Sequence, residues 1–265
     1  MRRIAAPLSA VVAVAALLAG CGGSSGPSAG SGSPSASKSA SVTGTINVFA
    51  AASLQEAFTK LGSQFEAAHP GTKVVFNFGP STGLAEQIGQ GAPADVFASA
   101  STKTMDQVVS SGDAANPTNF VSNTMEIAVP PKNPAHINKL ADLAKKGVKV
   151  ALCQADVPCG ATAIKVFDNA KIKVTPVTQE VDVKSTLSKV TLGEVDAGVV
   201  YVTDVRAAGA SVKGIEIPAN VNASTTYPIA PITASKNKTT ARAFVAYVLS
   251  PHGLAALTAA GFSRP

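Results

Sequence analysis

Residues 45–71 read TINVFAAASLQEAFTKLGSQFEAAHPG and contain one complete strand-turn-helix unit. Residues 45–50 (TINVFA) are few, largely apolar and followed by small residues, the pattern of a buried strand. Leu54, Ala57, Phe58, Leu61 and Phe65 then recur at the spacing of one helix face, until His69-Pro70-Gly71 stops the helix. Outward from this unit the same grammar repeats. Residues 73–78 and 95–99 read as strands; 84–88 and 103–109 read as short helices, the first closed by Gly89 and Gly91. A long strand is expected over 120–130, with Met125, Ile127 and Val129 on one face. A second series follows, with strands over 148–152, 197–202, 214–217 and 227–234 and helices over 161–167, 183–190, 241–249 and 254–260. Such alternation predicts an α/β architecture. Two series of similar size joined by long strands predict two lobes with a hinge, closing on a ligand between them. From the pattern alone, a single-lobed α/β enzyme is an equal alternative.

The N-terminal residues read differently. Met1-Arg2-Arg3 is basic, residues 4–19 are apolar or small apart from Pro7 and Ser9, and Leu18-Ala19-Gly20 leads into Cys21. This is the layout of an export signal over residues 1–20, too short and alanine-rich for a strong membrane span. Leu-Ala-Gly-Cys also resembles the bacterial lipobox, which implies acylation of Cys21 and anchoring at the outer face of the cell membrane. An ordinary signal cut near this point is the alternative. Residues 22–43 are almost entirely Gly, Ser, Ala, Pro and Thr, so 21–43 is expected to be a flexible tether behind the anchored Cys.

The chain carries 22 Lys+Arg against 16 Asp+Glu, scattered without a basic run or interleaved aromatics. That argues against a nucleic-acid binder, which concentrates its basic residues. Beyond Cys21 only Cys153 and Cys159 remain, and an even pair in an oxidising compartment usually bridges. Two free buried thiols are the alternative; without a nearby His the pair does not complete a metal site.

Nothing assembles a nucleophile, base and orienter. His69, His136 and His252 all fall at turns, and neither a G-x-S-x-G elbow, an H-E-x-x-H helix nor a P-loop is present. A Ser-x-x-Lys match, Ser35 to Lys38, lies in the tether. What recurs instead is a strand or loop that ends in small or polar residues and opens a helix: Ala52-Ser53, Pro80-Ser81, Pro158-Cys159 and Asp182-Val183. Helix starts present free N–H groups and a positive dipole end, so four of them converging on a cleft can hold a dianion without Lys or Arg. Each position also has a plainer reading: Ser53 with Glu56 is an S-x-x-E capping box, and Ser81 and Asp182 are ordinary N-caps.

Taken together these turns carry a resemblance. Ile46-Asn47-Val48-Phe49-Ala50-Ala51-Ala52-Ser53-Leu54 is similar to the opening motif of the molybdate-binding proteins of ABC importers. In order along the chain, Phe78-Gly79-Pro80-Ser81-Thr82-Gly83-Leu84, Gly91-Ala92-Pro93-Ala94-Asp95-Val96-Phe97, Val157-Pro158-Cys159-Gly160 and Gly198-Val199-Val200-Tyr201-Val202-Thr203-Asp204 resemble further motifs of that family. The resemblance implies a type II periplasmic-binding-protein fold with a hinge of two crossing strands. It implies a first lobe over 45–124 and 229–265 and a second over 125–228. It also implies a ligand site in which Ser53 and Ser81 offer hydroxyl and backbone N–H groups, Cys159 and Val183 backbone N–H groups, and Tyr201 its phenol. The family usually has Ala where this chain has Cys159; a backbone contact tolerates that change.

The implied protein is not an enzyme. It takes no cofactor or free metal cation, acts as a monomer, and hands its ligand to membrane permease subunits. A fully deprotonated tetrahedral dianion such as molybdate or tungstate only accepts hydrogen bonds and suits a donor-lined pocket. Phosphate keeps a proton that would face other donors, at a cost of about 1–3 kcal/mol. Sulfate has the same acceptor pattern, so only cavity size rejects it. The rival readings are a carrier of another oxyanion such as sulfate, and a secreted serine enzyme using Ser53 or Ser81.

Overall fold

Alternate faces of the first strand serve two different layers. The computed structural model describes residues 41–265, so the signal, Cys21 and the tether up to residue 40 lie outside the described residues. In β1 (Gly44–Ala51), Ile46, Val48 and Ala50 point toward α1 (Gln55–Ala68), α7 (Lys238–Leu249) and α8 (Pro251–Ala259), while Phe49 joins the core under α2 (Ser81–Gly89) and α3 (Thr102–Ser110). This is the period-two alternation of a sheet covered on both sides. β1 lies parallel between β2 (Thr72–Gly79) and β3 (Val96–Ala98), and β3 pairs antiparallel with β9 (Ser224–Pro231). On the α1 side, Phe58, Phe65 and Phe244 pack edge-to-face with ring centroids 5.3 to 6.2 Å apart. Phe58 is fully buried there, and truncating such a ring costs about 3–5 kcal/mol.

β4 (Thr118–Val129) links the halves. Its first part pairs with β9 and contributes Phe120 and Val121 to the α1-side core. Its second part pairs with β7 (Ala197–Tyr201) and β8 (Lys213–Glu216), and places Met125, Ile127 and Val129 in a separate core. That second core is built on β5 (Val150–Cys153), parallel to both β6 (Thr178–Glu180) and β7. Around it pack α4 (Pro158–Ala170), α5 (Val183–Thr191) and α6 (Val202–Ala208). The strand order β2-β1-β3-β9-β4-β7-β5-β6 makes a curled mixed sheet, the frame of a two-lobed α/β fold. Asn222 staples the crossing: its amide donates to the Met125 carbonyl at 2.8 Å and its oxygen accepts from the Met125 N–H at 3.2 Å.

Several expectations shift. Val202 opens α6 rather than ending β7; Asp204, three residues after Tyr201, accepts the Tyr201 N–H and turns the chain into a helix. β9 starts at Ser224 and stops at Pro231, not over 227–234. The tether reading overruns at its end: Thr43 exchanges hydrogen bonds with the Thr240 side chain at 3.2 and 2.6 Å, and Val42 packs on the core.

The disulfide joins Cys153, at the end of β5, to Cys159 in the first turn of α4, with Cα atoms 5.8 Å apart. Gly160, the next residue, packs so closely that a Cβ there would collide with the Gln154 and Cys153 carbonyl oxygens. A Cβ at Gly89 would meet open space. Gly160→Ala is therefore expected to lower stability by about 1–3 kcal/mol in urea unfolding, with Gly89→Ala near neutral. Equal effects would show that the α4–β5 approach is not tight.

Candidate functional site

The turns singled out in the sequence all follow strands. β1 ends in a 3-10 turn, Ala52–Leu54, that carries Ser53. β2 ends at Gly79, and Ser81 is the first residue of α2. β5 is followed by α4, whose Pro158 occupies the first turn with its missing N–H where no partner is needed, and Cys159 comes next. β6 leads through Asp182, whose carboxylate accepts the Ser185 N–H at 2.8 Å, to Val183. Tyr201 is the last residue of β7. Open α/β sheets bind ligands beyond the carboxyl ends of their strands because those ends deliver first-turn N–H groups to one place.

Here they meet. Ser53, Ser81, Cys159, Val183 and Tyr201 line one cavity of about 20 Å³, with Ala51, Ala52, Gly79, Pro80, Ala100, Val157, Pro158 and Asp182 completing its wall. All five are buried. Among the described residues no Lys, Arg or His lines it, and its one acidic residue, Asp182, is engaged as a cap. A groove of about 770 Å³ flanked by Lys103, Gln107, Asp156 and Lys165 is far larger, but none of the five reaches it. A water molecule needs roughly 10–15 Å³ of such space and a drug-sized ligand several hundred, so the small cavity suits a ligand of a few heavy atoms.

Two of its three hydroxyls have a proton to offer. Ser81 Oγ accepts the Ala100 N–H at 3.0 Å, which leaves its own proton free. Ser53 Oγ lies 2.8 Å from Tyr227 Oη. Tyr201 Oη is buried without a hydrogen-bond partner among the described residues, a state that costs about 1–3 kcal/mol unless an acceptor arrives. Burial pushes the Tyr201 and Tyr227 phenols above their ordinary range, so both stay protonated donors at neutral pH. The capping-box expectation fails. Ser53 pairs with Tyr227, and Glu56 instead reaches Lys184 on α5, both oxygens 2.8 Å from its Nζ. Ser81 is likewise not a cap, because Pro80 holds that position.

Behind Tyr201 lies a charged cluster. Lys184 Nζ sits 3.1 Å from Asp204 Oδ1, and Asp204 Oδ2 accepts the Tyr201 N–H at 3.2 Å. Oδ1 forms no well-aligned hydrogen bond, so its contact with Lys184 is ionic. Burial raises the Asp204 carboxyl to about 6, against the pull of Lys184 and the Tyr201 N–H. Burial alone would lower Lys184, yet Asp204 and Glu56 carry it above its ordinary value. Tyr227, Lys184 and Asp204 were not foreseen as site residues. Only Asp204 had a readable signal, a carboxylate three residues past a strand end, which is capping spacing.

The histidines are elsewhere. The His69 ring packs on Phe65 with centroids 4.3 Å apart, His252 Nε2 pairs with Gln64 at 3.2 Å, and His136 occupies a positive-φ turn. None of the three lines the cavity with Ser53 and Ser81. Two lobes around a small buried cavity lined by hydroxyls and helix starts are the frame of a binding protein. The chain belongs to the bacterial extracellular solute-binding proteins, whose family profile matches residues 46–263. It is 43% identical over 222 residues to the molybdate-binding protein ModA of Mycobacterium tuberculosis, covering 83% of this chain and 85% of that one. It is 31% identical over 228 residues to YvgL of Bacillus subtilis, described as a putative ABC transporter substrate-binding lipoprotein, covering 83% and 86%. The periplasmic molybdate-binding protein of Azotobacter vinelandii shares the fold, with a TM-score of 0.74 at 22% identity over 83% of this chain and 99% of that one. The family places the protein outside the cytoplasm.

The folded-state value of Asp204 lies above its ordinary 3.8, so its contribution to stability is fully present below about pH 4 and is lost as pH rises through about 6. Urea unfolding of the ligand-free protein should show this decline, and Asp204→Asn should remove it. Superimposable pH profiles for the two proteins would contradict the raised carboxyl.

Proposed function

We propose that the protein captures molybdate or tungstate as a bare tetrahedral dianion and delivers it to the permease subunits of an ABC importer. The observation that carries this reading is the Tyr201 hydroxyl, buried without an acceptor in a cavity to which Ser81 also turns a hydroxyl and helix first turns bring N–H groups. Ser53 and Ser81 supply hydroxyl and backbone donors from one lobe; Cys159, Val183 and Tyr201 supply donors from the other. The cavity's small size supports a compact ion over an organic solute, and the names of the curated relatives support the metal oxyanions. We assign residues 45–124 and 229–265 to the first lobe and 125–228 to the second, in keeping with the separate cores. The protein works as a monomer anchored through acylated Cys21, in line with the lipoprotein name of the Bacillus relative.

Chemistry separates the ligands. Molybdate and tungstate present only acceptors and match an all-donor shell. Hydrogen phosphate brings one proton that must face a donor, costing about 1–3 kcal/mol. Sulfate matches in charge and acceptor pattern but has shorter bonds, so donors held at fixed positions are stretched on it.

Thermal unfolding with each oxyanion tests the reading. Molybdate or tungstate at a hundredfold over its dissociation constant stabilises by about 2.7 kcal/mol, a rise in Tm of roughly 5–11 °C. An equal rise with sulfate defeats the specificity claim, and no rise with any oxyanion defeats the function. Ser53→Ala and Ser81→Ala should each weaken molybdate binding about tenfold or more in calorimetric titration, since a hydrogen bond to a charged group contributes about 1.5–3 kcal/mol. Variants that lose apo stability but keep affinity would identify both serines as purely structural. Intact mass of the protein from membranes should carry the acyl groups on Cys21; a Cys21→Ala protein that stays membrane-bound would argue against the anchor.

A further inference from the structure

The Cys153–Cys159 bridge is set in the wall of the small cavity. Cys159 lines that cavity, Cys153 is the last residue of β5, and both are buried. Cys159 follows Pro158 in the first turn of α4, where a backbone N–H has no acceptor within the helix. The bridge thus holds the side chain of a residue whose own N–H is a proposed ligand donor.

Room at this point is short. A Cβ on Gly160 would collide with the carbonyl oxygens of Gln154 and Cys153, so the start of α4 already lies against the end of β5. Thr186 Oγ1 stands 3.4 Å from Cys153 Sγ and limits retreat of that sulfur on its side. Reduction replaces the bond between the two sulfurs by a non-bonded contact, and non-bonded sulfurs stand farther apart than bonded ones. A close-packed interior does not absorb such an expansion without moving its neighbours. The first turn of α4 is displaced from β5, and the Cys159 N–H leaves its place with it. The Ala usual at this position in the family brings no sulfur and makes no such demand.

We propose that the Cys153–Cys159 bridge is a positioning element of the anion site, so that opening it by a dithiol reductant disarms the site. The proposal rests on the oxyanion reading above and adds a redox condition to it. In the step itself, one thiolate of the dithiol attacks a bridge sulfur and releases the other cysteine as thiolate. The second thiol of the dithiol then closes on the mixed disulfide and releases the first cysteine. Two electrons and two protons pass from the dithiol, which ends as a disulfide, to the bridge, which ends as two thiols.

Calorimetric titration with molybdate tests this on oxidised protein and on protein reduced with dithiothreitol and then freed of it under exclusion of air. The reduced protein should bind about tenfold more weakly, the scale of one displaced hydrogen bond to a charged ligand. Two variants that cannot bridge separate crowding from loss of the tie. Cys153→Val keeps bulk beside the Cys159 sulfur and should bind severalfold more weakly than Cys153→Ala, which leaves that sulfur room. The affinity of Cys153→Ala should be the same before and after the dithiothreitol treatment. The Val and Ala pair decides the matter if the reduced parent protein does not fold. Equal affinity of oxidised and reduced parent protein, or equal affinity of Cys153→Val and Cys153→Ala, overturns the proposal. Failure of the oxidised parent protein to bind molybdate overturns the oxyanion reading instead, so the two failures are distinct.

Discussion

A buried donor must find an acceptor, and the site concentrates that demand. Ser81 and Tyr201 each aim a proton, and the first turns of α2, α4 and α5 aim N–H groups, at a space of about 20 Å³. In an opened cleft water meets the need. With the lobes closed and nothing inside, each unmet donor costs about 1–3 kcal/mol. Against this stands the Lys184–Glu56 pair that spans α5 and α1. The Glu56 side chain is 53% exposed, and pairs of that kind contribute roughly 0–1 kcal/mol. The ion pair is too weak to hold an empty cavity shut. On the proposed function, the anion itself supplies the free-energy difference between open and closed forms.

Neutral donors also explain why the cavity avoids cations. Lys184 stands close behind Tyr201 but is committed to Glu56 and Asp204, and it does not line the cavity. A lysine in the wall would remain as an unpaired buried charge once the ligand left, a heavier penalty than any single hydroxyl. Dipoles and hydroxyls leave no such charge. They act only from correct positions, however, and the scaffold is stiff where they are mounted. Gly160 lets α4 sit against the end of β5, and the Cys153–Cys159 bridge ties the same two elements.

Much of this was readable in the chain. Strand-helix alternation gave the layers, since Ile46, Val48 and Ala50 on one side and Phe49 on the other report a sheet covered on both faces. Four of the five proposed site residues fall at helix starts after strands, which have a local signature; the full set, Tyr201 included, came from the family resemblance, and the structure brings all five to one cavity. What stayed hidden depends on distant partners. Glu56 looks like half of a capping box until Lys184, 128 residues away, takes it. Tyr227 looks like any strand tyrosine until Ser53, 174 residues away, meets its hydroxyl. β6 was missed because Thr178-Gln179-Glu180 has no apolar alternation; only its pairing with β5 makes it a strand. Val202 was assigned to a strand because Val199, Val200 and Val202 share a strand's composition, while Asp204 capping Tyr201 overrides that preference.

Selectivity in such a site divides into two separable parts. Size is judged by atoms that touch the ligand, through spacing fixed by β1, β2, β5 and β7 and the turns after them. Protonation is judged one layer further out, by protein donors that occupy a hydroxyl's lone pair and leave its proton for the ligand, as the Ala100 N–H does behind Ser81. A change in the outer layer leaves the cavity's dimensions intact and alters only which end of an O–H faces inward. Sulfate and hydrogen phosphate, close in size, therefore report on different residues. On the proposed function, rejection of sulfate depends on how rigidly the turns are held, whereas rejection of hydrogen phosphate depends on how many of the inward groups can only donate.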